Sequence, residues 1–342
     1  MTFISIIIPT WNSKKTLPTT LECLARQTFR DFEVILVDNG STDYDQKTIE
    51  EYCRSFSSHN IHFEENRGFA YACNYGARLA DGEWLAFLNA DAFPHNDWLE
   101  QFQKGQEKIP QAAAFASFIT QHTHPDLIDG TGDVYNISGN AWKQGYGYPA
   151  STAPHKPKRI FSPNAAAAFY KRDVFLQAGG FDEDFFSYFE DVDLGFRINL
   201  AGGQCFFLPT ARVEHVGSTS TGQDSDFAVY HHHRNSDWAF LKNMPTALFI
   251  IYFPIRIIAN LIFFLKYLAH GRGGIVIKAK WDAFLKTRSM LKKRRSIQRQ
   301  RTARIWEINR LFDKELCAPF LLGRRLRAFN RSRRGMEKEK MP

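Results

Sequence analysis

Over the first ninety residues, apolar positions come in short unbroken runs, and between the runs they recur every three or four residues. The runs predict buried strands at 4–8, 33–37, 61–64 and Trp84–Leu88. The helical spacing predicts helices at 16–27, 46–57 and Phe69–Leu79, the last with small residues along one side. Strands alternating with helices are the mark of an α/β layer on a mainly parallel sheet. Ligands of such sheets bind beyond the carboxyl ends of the strands, where Asp38 and Asp91 fall.

The pattern then becomes irregular. Residues 110–165 are rich in Gly, Pro and aromatics, with Trp142, Tyr146 and Tyr148 among Gly139, Gly145 and Gly147, and read as substrate-binding loops and short strands. Order returns with 165–170, a helix over 171–178, a turn at Gly179-Gly180, a helix over 189–201 stopped by Gly202-Gly203, and a strand at 204–208 ending near Pro209. A nearly continuous apolar stretch covers 247–265, interrupted by Pro254, Arg256 and Asn260. These shifts divide the chain into a catalytic globule, 1–240, and an added region of apolar helix and basic helical tail, 241–342.

Composition adds that the chain is too apolar, at 44%, to be disordered. Its five scattered cysteines never pair as CxxC, which fits a reducing cytoplasm and neither a zinc site nor a disulfide framework. The strand at 4–8 runs straight into Pro9 and has no basic flank, unlike a signal peptide. Charge is unevenly placed: 266–342 carries 23 Lys and Arg against 6 Asp and Glu, +17, while the remainder carries −9. Such a tail calls for an anionic partner, nucleic acid or a membrane surface.

Two groups of acids carry the candidate chemistry. Asp91 closes the run Phe87-Leu88-Asn89-Ala90-Asp91, so a hydrophobic strand delivers a carboxylate to the sheet edge. Mg2+ and Mn2+ take hard oxygen ligands and combine few protein carboxylates with phosphate oxygens, so one or two acids suffice. An isolated aspartate there more often caps a turn, but this one has company. Glu190 and Asp191 open a predicted helix, where the dipole favours anions and either carboxylate can act as a general base. Asp193 and Arg197, four apart, read as a surface or supporting ion pair. His215, in Val213-Glu214-His215, can complete a metal's coordination, although a lone histidine is more often structural. His231, His232 and His233 look more metal-like, yet neighbours on a helix point in different directions and cannot converge on one ion.

The order Pro9-Thr10-Trp11-Asn12, Asp38-Asn39-Gly40-Ser41-Thr42-Asp43, Asn66-Arg67-Gly68-Phe69, Asn74-Tyr75-Gly76, Asn89-Ala90-Asp91, Glu190-Asp191 and His215 resembles family 2 glycosyltransferases over residues 3–240. Within that family it looks most like bacterial rhamnosyltransferases of cell-surface polysaccharide synthesis. The resemblance implies an α/β GT-A fold and an inverting transfer from a nucleotide-sugar donor to a glycan acceptor. Thr10 and Asp38 would contact the nucleoside, and Asn66, Arg67 and Gly68 would line the nucleotide side, where Arg67 can meet a phosphate. Asp91 matches the last acid of the metal-binding DxD motif. Asn89 stands where the first aspartate commonly lies, which gives His215 and the diphosphate a larger share in holding the Mn2+ or Mg2+. Asp191 matches the catalytic base, with Glu190 as its rival.

The apolar stretch decides between the anionic partners, since it has no role on nucleic acid. At about 20 residues it just reaches bilayer length, but an arginine near its middle costs roughly 2.5–3.5 kcal/mol on insertion scales. A single crossing would also separate a head that needs cytosolic donor from a basic tail that stays cytoplasmic. Tyr252, Arg256 and Asn260 form one polar stripe, so the helix is expected in the interface plane, with Lys292-Lys293-Arg294-Arg295 on anionic headgroups. The expectation is a peripheral or monotopic enzyme at the cytoplasmic face of the plasma membrane, acting on a lipid-linked acceptor. The alternatives are the same chemistry with a UDP-hexose or UDP-N-acetylhexosamine, a helical hairpin packed on the catalytic domain, or a silent glycan-binding scaffold.

Overall fold

A computed structural model describes residues 2–217 and 225–320. The first seven elements follow the predicted alternation: β1 (Ile4–Thr10), α1 (Leu17–Ala25), β2 (Phe32–Asp38), α2 (Gln46–Cys53), β3 (Ser57–His62), α3 (Phe69–Leu79) and β4 (Trp84–Leu88). The strands β3, β2, β1 and β4 lie side by side in that order, all parallel. β1 and β2 read as unbroken apolar runs because separate cores cover their two faces, Ile6 and Val34 facing one and Ile7 and Ile35 the other. Small residues let α3 approach closely: a Cβ on Gly76 would stand 2.7 Å from Ile7 Cγ2. Parallel register then sets Thr10, Asp38 and His62 in one row at the carboxyl ends of three strands.

Beyond β4 come β5 (Ala92–Pro94), α4 (Trp98–Lys108), β6 (Ala114–Gln121), β7 (His124–Gly130), β8 (Asp133–Tyr135), β9 (Ala141–Lys143), β10 (Lys158–Ile160), β11 (Ala167–Lys171), α5 (Arg172–Gln177), α6 (Glu190–Leu200) and β12 (Cys205–His215). The expectation of loops and short strands across 110–165 is corrected by β6, an eight-residue strand inside the central sheet between β11 and β12. Ala114, Phe115 and Ala116 are buried on both faces, so the alternation of a half-exposed strand is missing. β11 runs antiparallel to both β4 and β6, making the sheet parallel from β3 to β4 and mixed beyond. β12, expected to stop near Pro209, continues to His215. Its register slips between Leu208 and Arg212, and this irregularity absorbs a proline that has no N–H for the ladder.

Among the described residues, five helices follow: α7 (Asp226–Asn243), α8 (Thr246–Ala269), α9 (Gly273–Leu285), α10 (Thr287–Arg299) and α11 (Ile305–Leu311). The expected division at 240/241 falls inside α7, and a third apolar core joins Phe185, Phe189 and Phe196 to Trp238, Met244, Leu248 and Met290. Buried ion pairs line the same seam: Lys242 Nζ stands 2.9 Å from Asp193 and also pairs with Asp182, while Lys293 reaches Asp182 and, at 2.7 Å, Asp184. Of the basic run expected on headgroups, Lys293 and Arg294 therefore turn inward, Arg294 donating to the Leu241 carbonyl at 2.7 Å. Residues 321–342, the end of the basic tail, lie outside the described residues.

The polar stripe of α8 also faces the protein. Tyr252 donates to Asn309 at 2.7 Å, Arg256 is 3% exposed and donates to the Ser138 carbonyl at 3.1 Å and to Asp237, and Asn260 donates to Asp237 at 3.2 Å. Outward stand Ile250, 68% exposed, Ile258, 58% exposed, Ile257, Leu261 and Leu265. α8 is amphipathic with its polar side indoors and its apolar side out.

Candidate active site

Asp38 ends β2 in the interior, and its carboxylate accepts from the Ser41 N–H at 3.1 Å and the Ser41 hydroxyl and meets His62 Nδ1 at 2.6 Å. The His62 ring stacks on Tyr44 at 4.6 Å between centroids. The turn between needs Gly40, since a Cβ there would stand 2.5 Å from the Glu65 carbonyl carbon and φ is +77°. Thr10, Asp38, Ser41, Tyr44 and Tyr52 line a small apolar pocket here. Sequence reasoning missed Tyr44 and His62; the signal for His62 was the register that sets it beside Asp38.

Asn39 and Asn66 brace one another. Asn39 Nδ2 donates to Asn66 Oδ1 at 2.9 Å, and their oxygens accept from the N–H groups of Arg67 (3.0 Å) and Gly68 (2.9 Å). Asn66 lines the main cavity, of about 800 Å³, but Arg67 and Gly68 do not. The Arg67 guanidinium is exposed and stacks on Tyr71, 3.6 Å from the ring centroid. Gly68, with φ +92°, is pressed against Phe186, whose ring a Cβ would meet at 2.6 Å.

Asp91 and His215, far apart in sequence, meet because β5 pairs with β12, setting His215 opposite Ala92. His215 Nε2 lies 3.2 Å from Asp91 Oδ1 and 3.4 Å from Asn89 Nδ2, and Nδ1 lies 3.0 Å from Asp129. Lys143 reaches the same Asp129 oxygen at 2.7 Å. Burial opposes a charge on His215, but its hydrogen bonds to Asp129 and Asp91 outweigh that and raise its pKa. Burial likewise opposes ionisation of Asp129, and Lys143 and His215 overcome it, holding that carboxyl down at about 2. Asp129 and Lys143 had escaped notice inside the glycine-rich stretch, for no motif marked them. Among the described residues, no three carboxylate, histidine or cysteine side chains are grouped to hold a metal alone. Asp91 and His215 suit a hard cation that draws its other ligands from a diphosphate and water, with Asp129 fixing the imidazole as carboxylates do behind metal-bound histidines.

Glu190 and Asp191, which line the same cavity as Asp91 and His215, open α6. Asp191 accepts from the N–H groups of Val192 at 2.8 Å and Ala165 at 3.2 Å. Burial raises its pKa against those bonds. Glu190 is raised well above the usual carboxylate range by burial and then by Asp191, and its Oε2 has no hydrogen-bond partner among the described residues. Asp133, buried beside them and also in the cavity wall, is raised by burial and then by Asp191, with Ser162 donating to it at 3.2 Å. Asp193 points the other way. It is not a surface pair: at 0% exposure it accepts from Arg197 at 2.9 Å and Asn243 at 2.7 Å.

The segment delivering Glu190 is strained. Phe186, Tyr188 and Phe189 have φ of 65°, 68° and 72°, a conformation costing a non-glycine residue about 1–3 kcal/mol. With His232 of α7 they form the aromatic side of the cavity. The three α7 histidines diverge as expected: His232 lines the cavity, His231 hydrogen-bonds the Phe227 carbonyl at 2.9 Å, and His233 packs on Tyr267.

The model of the family Glycosyl transferase family 2 matches residues 5–175. A PGL/p-HBAD biosynthesis glycosyltransferase of Mycobacterium bovis is 32% identical over 246 residues, covering 70% of this chain and 83% of that one. The N-acetylglucosaminyl-diphospho-decaprenol L-rhamnosyltransferase of Mycobacterium tuberculosis is 27% identical over 266 residues, covering 70% and 84%. Among solved structures, the mannosyltransferase PcManGT from Pyrobaculum calidifontis, in complex with GDP-Man and Mn2+, superposes with a TM-score of 0.54 at 16% identity, covering 95% of this chain and 82% of that one.

Proposed function

The chain belongs to glycosyl transferase family 2 and is a glycosyltransferase of GT-A fold, and from that premise we propose that it moves rhamnose from dTDP-rhamnose, with inversion, onto a hydroxyl of a lipid-linked cell-surface glycan. One observation carries the reaction: Asp91, His215, Glu190 and Asp191 all line a single cavity, and the Asp38 pocket adjoins it at Thr10. The rhamnosyltransferase relative, named for a decaprenol-linked acceptor, supports the choice of sugar and of lipid.

In this reading Thr10 and Asp38 hold the nucleoside, and Asn66 and Asn89 line the nucleotide side, with Arg67 and Gly68 shaping its rim. Asp191 takes the proton from the acceptor hydroxyl as its oxygen attacks the anomeric carbon and the bond to the diphosphate breaks. Glu190 is the weaker candidate, because burial and then Asp191 raise its pKa well above the usual carboxylate range, whereas at Asp191 two backbone N–H groups work against the rise that burial causes. Asp91 and His215 would hold Mn2+ or Mg2+, which when bound neutralises charge on the leaving diphosphate.

The enzyme works at the cytoplasmic face of the plasma membrane, residues 241–342 forming its membrane-associating region. The outward apolar side of α8, 24 residues long, supports this, together with exposed Trp281 and Phe284 on α9 and exposed basic side chains on α10. The deciding measurement incubates the purified protein with dTDP-rhamnose, UDP-glucose, UDP-galactose and UDP-N-acetylglucosamine, each with Mn2+ or Mg2+. Metal-dependent hydrolysis fastest with dTDP-rhamnose is expected; a preference for a UDP-sugar replaces the donor and leaves the chemistry standing.

A further inference from the structure

We propose that Asn235 and Arg234 of α7 are positioning residues that hold the strained segment 185–189 and so aim Glu190 and Asp191 into the cavity, an inference resting on the base assignment above. The segment carries three non-glycine residues at positive φ immediately before the two acids. Such a run persists only where its surroundings over-determine it. Local sequence does not do so, because phenylalanine and tyrosine have no side-chain oxygen or nitrogen placed to close a turn as asparagine or aspartate does.

The hold comes from α7. Asn235, wholly buried, shares its two amide hydrogens among the carbonyls of Phe185 (3.0 Å), Ser187 (2.9 Å) and Tyr188 (2.7 Å). Its own oxygen accepts from Arg234 Nε at 2.9 Å. The same guanidinium donates through Nη2 to the carbonyls of Phe185 (2.9 Å) and Asp184 (3.3 Å), and lies over the Trp238 ring at 4.4 Å. Two adjacent side chains thus reach three carbonyls of the segment and that of Asp184 just before it; of these the Phe185 carbonyl also accepts from the Ser187 N–H at 2.8 Å. On its far side the segment closes against Gly68, and the Ala70 N–H donates to the Phe186 carbonyl at 3.3 Å. Residues 185–189 are therefore gripped between the nucleotide side and α7, and a helix beyond the stretch matched by the family model, 5–175, becomes a part of the catalytic apparatus.

The test compares Asn235→Ala and Arg234→Lys with Tyr252→Phe, which removes a hydrogen bond between α8 and Asn309 and keeps the ring in the core. Lysine keeps the charge of Arg234 but loses the fork that spans two carbonyls. Two readouts are taken on the full chain: amide exchange of 184–191, and hydrolysis of dTDP-rhamnose with Mn2+ resolved into kcat and KM. In Asn235→Ala, exchange across 184–191 should rise tenfold or more while β1–β4 stay protected, and kcat should fall tenfold or more with KM within twofold. Arg234→Lys should do the same to a smaller degree, and it carries the test if Asn235→Ala does not fold. The proposal is overturned if exchange in the segment is unchanged, if the segment loosens with kcat intact, if kcat and KM change together, or if Tyr252→Phe lowers kcat as much as Asn235→Ala does. A wild-type protein inert towards dTDP-rhamnose would refute the donor instead, and exchange alone would then decide the hold on 185–189.

Discussion

The N-terminal part of the molecule, β1 to β4, is held mainly by apolar burial, its buried carboxylates being Glu33, which accepts from the Ser5 hydroxyl at 2.6 Å, and Asp38. The part that begins at β6 and runs through α7–α11 is held also by charges buried in pairs. Ile6, Ile7, Val34 and Ile35 are wholly buried in the first, with Asp38 as the polar group where β2 stops. In the second, Asp193, Lys242, Arg256 and Asp129 are all buried and paired. On the proposed function, the half that holds the nucleotide needs a fixed sheet edge, which strand packing supplies, and the half that carries the base and docks helices needs directional contacts, which buried hydrogen-bonded ions supply.

The largest expected effects fall where the halves meet. Asp191→Asn should lower donor turnover by about 10²–10⁴ and leave dTDP binding, followed by calorimetry, within twofold. Asp91→Ala should lose turnover comparably, but with dTDP affinity no longer raised by Mn2+. If both variants lose nucleotide affinity alike, the division of labour across the cavity is wrong.

Next in size is the seam between the halves. Lys242→Met leaves Asp193 and Asp182 short of a cation in the interior, and breaking a buried pair on one side costs about 3–5 kcal/mol. Urea unfolding should detect this, and the loss should centre on the helices, with β1–β4 the last protection to go in amide exchange. A uniform loss would dissolve the contrast.

How far each half could be read in advance follows the same physics. Strands and helices up to 91 lie within a residue or two of their predicted places, because each buries its own periodic pattern; the exceptions are α2, which ends four residues early at Cys53, and β3, which begins four residues early at Ser57. Asp38 and Asp91 were visible for that reason, since a strand end is a local event, whereas Thr10 came only with the family resemblance. β6 was not, because a strand buried on both faces and rich in alanine shows no alternation. The reach of β12 past Pro209 was hidden too, for the irregularity that rescues it is set by β6 and β5, not by its own residues. Asp129, Lys143 and Asn235 act through partners 14 to 86 residues away and carry no local mark. The stripe Tyr252, Arg256 and Asn260 was legible as a stripe, but which way it faced depended on Asp237 and Asn309.

A smaller effect separates the halves by pH. Burial pushes His231 and His232 on α7 down to about 4, and His233 to about 2. Their folded pKa values lie below the unfolded value of about 6.5, so the unfolded chain binds more protons between. The stability they contribute is present above pH 6.5 and lost as pH falls towards 4 and below. A loss of stability by pH 4.5 is expected, with amide exchange quickening first in α7 and its neighbours α9 and α10. Exchange that accelerates equally in β1–β4 would contradict it.

The smallest expected effect on the fold is on the outward side of α8, and its smallness is the point. Ile250 and Ile258 are more than half exposed, so the double variant Ile250→Ser, Ile258→Ser should change stability in water by less than about 0.5 kcal/mol at each site. If that side meets the acyl region of a bilayer, each isoleucine buries there a side chain worth roughly 1.5–3 kcal/mol. The same double variant should then float with anionic vesicles at least tenfold less well, at unchanged turnover in detergent-free solution. Salt alone should not release the wild type, because Lys293 and Arg294, turned inward, leave fewer charges for headgroups than the basic run offers. Full release by salt, or flotation untouched by the two serines, would leave α8 as a plain packing helix and move the whole membrane role to the charged residues.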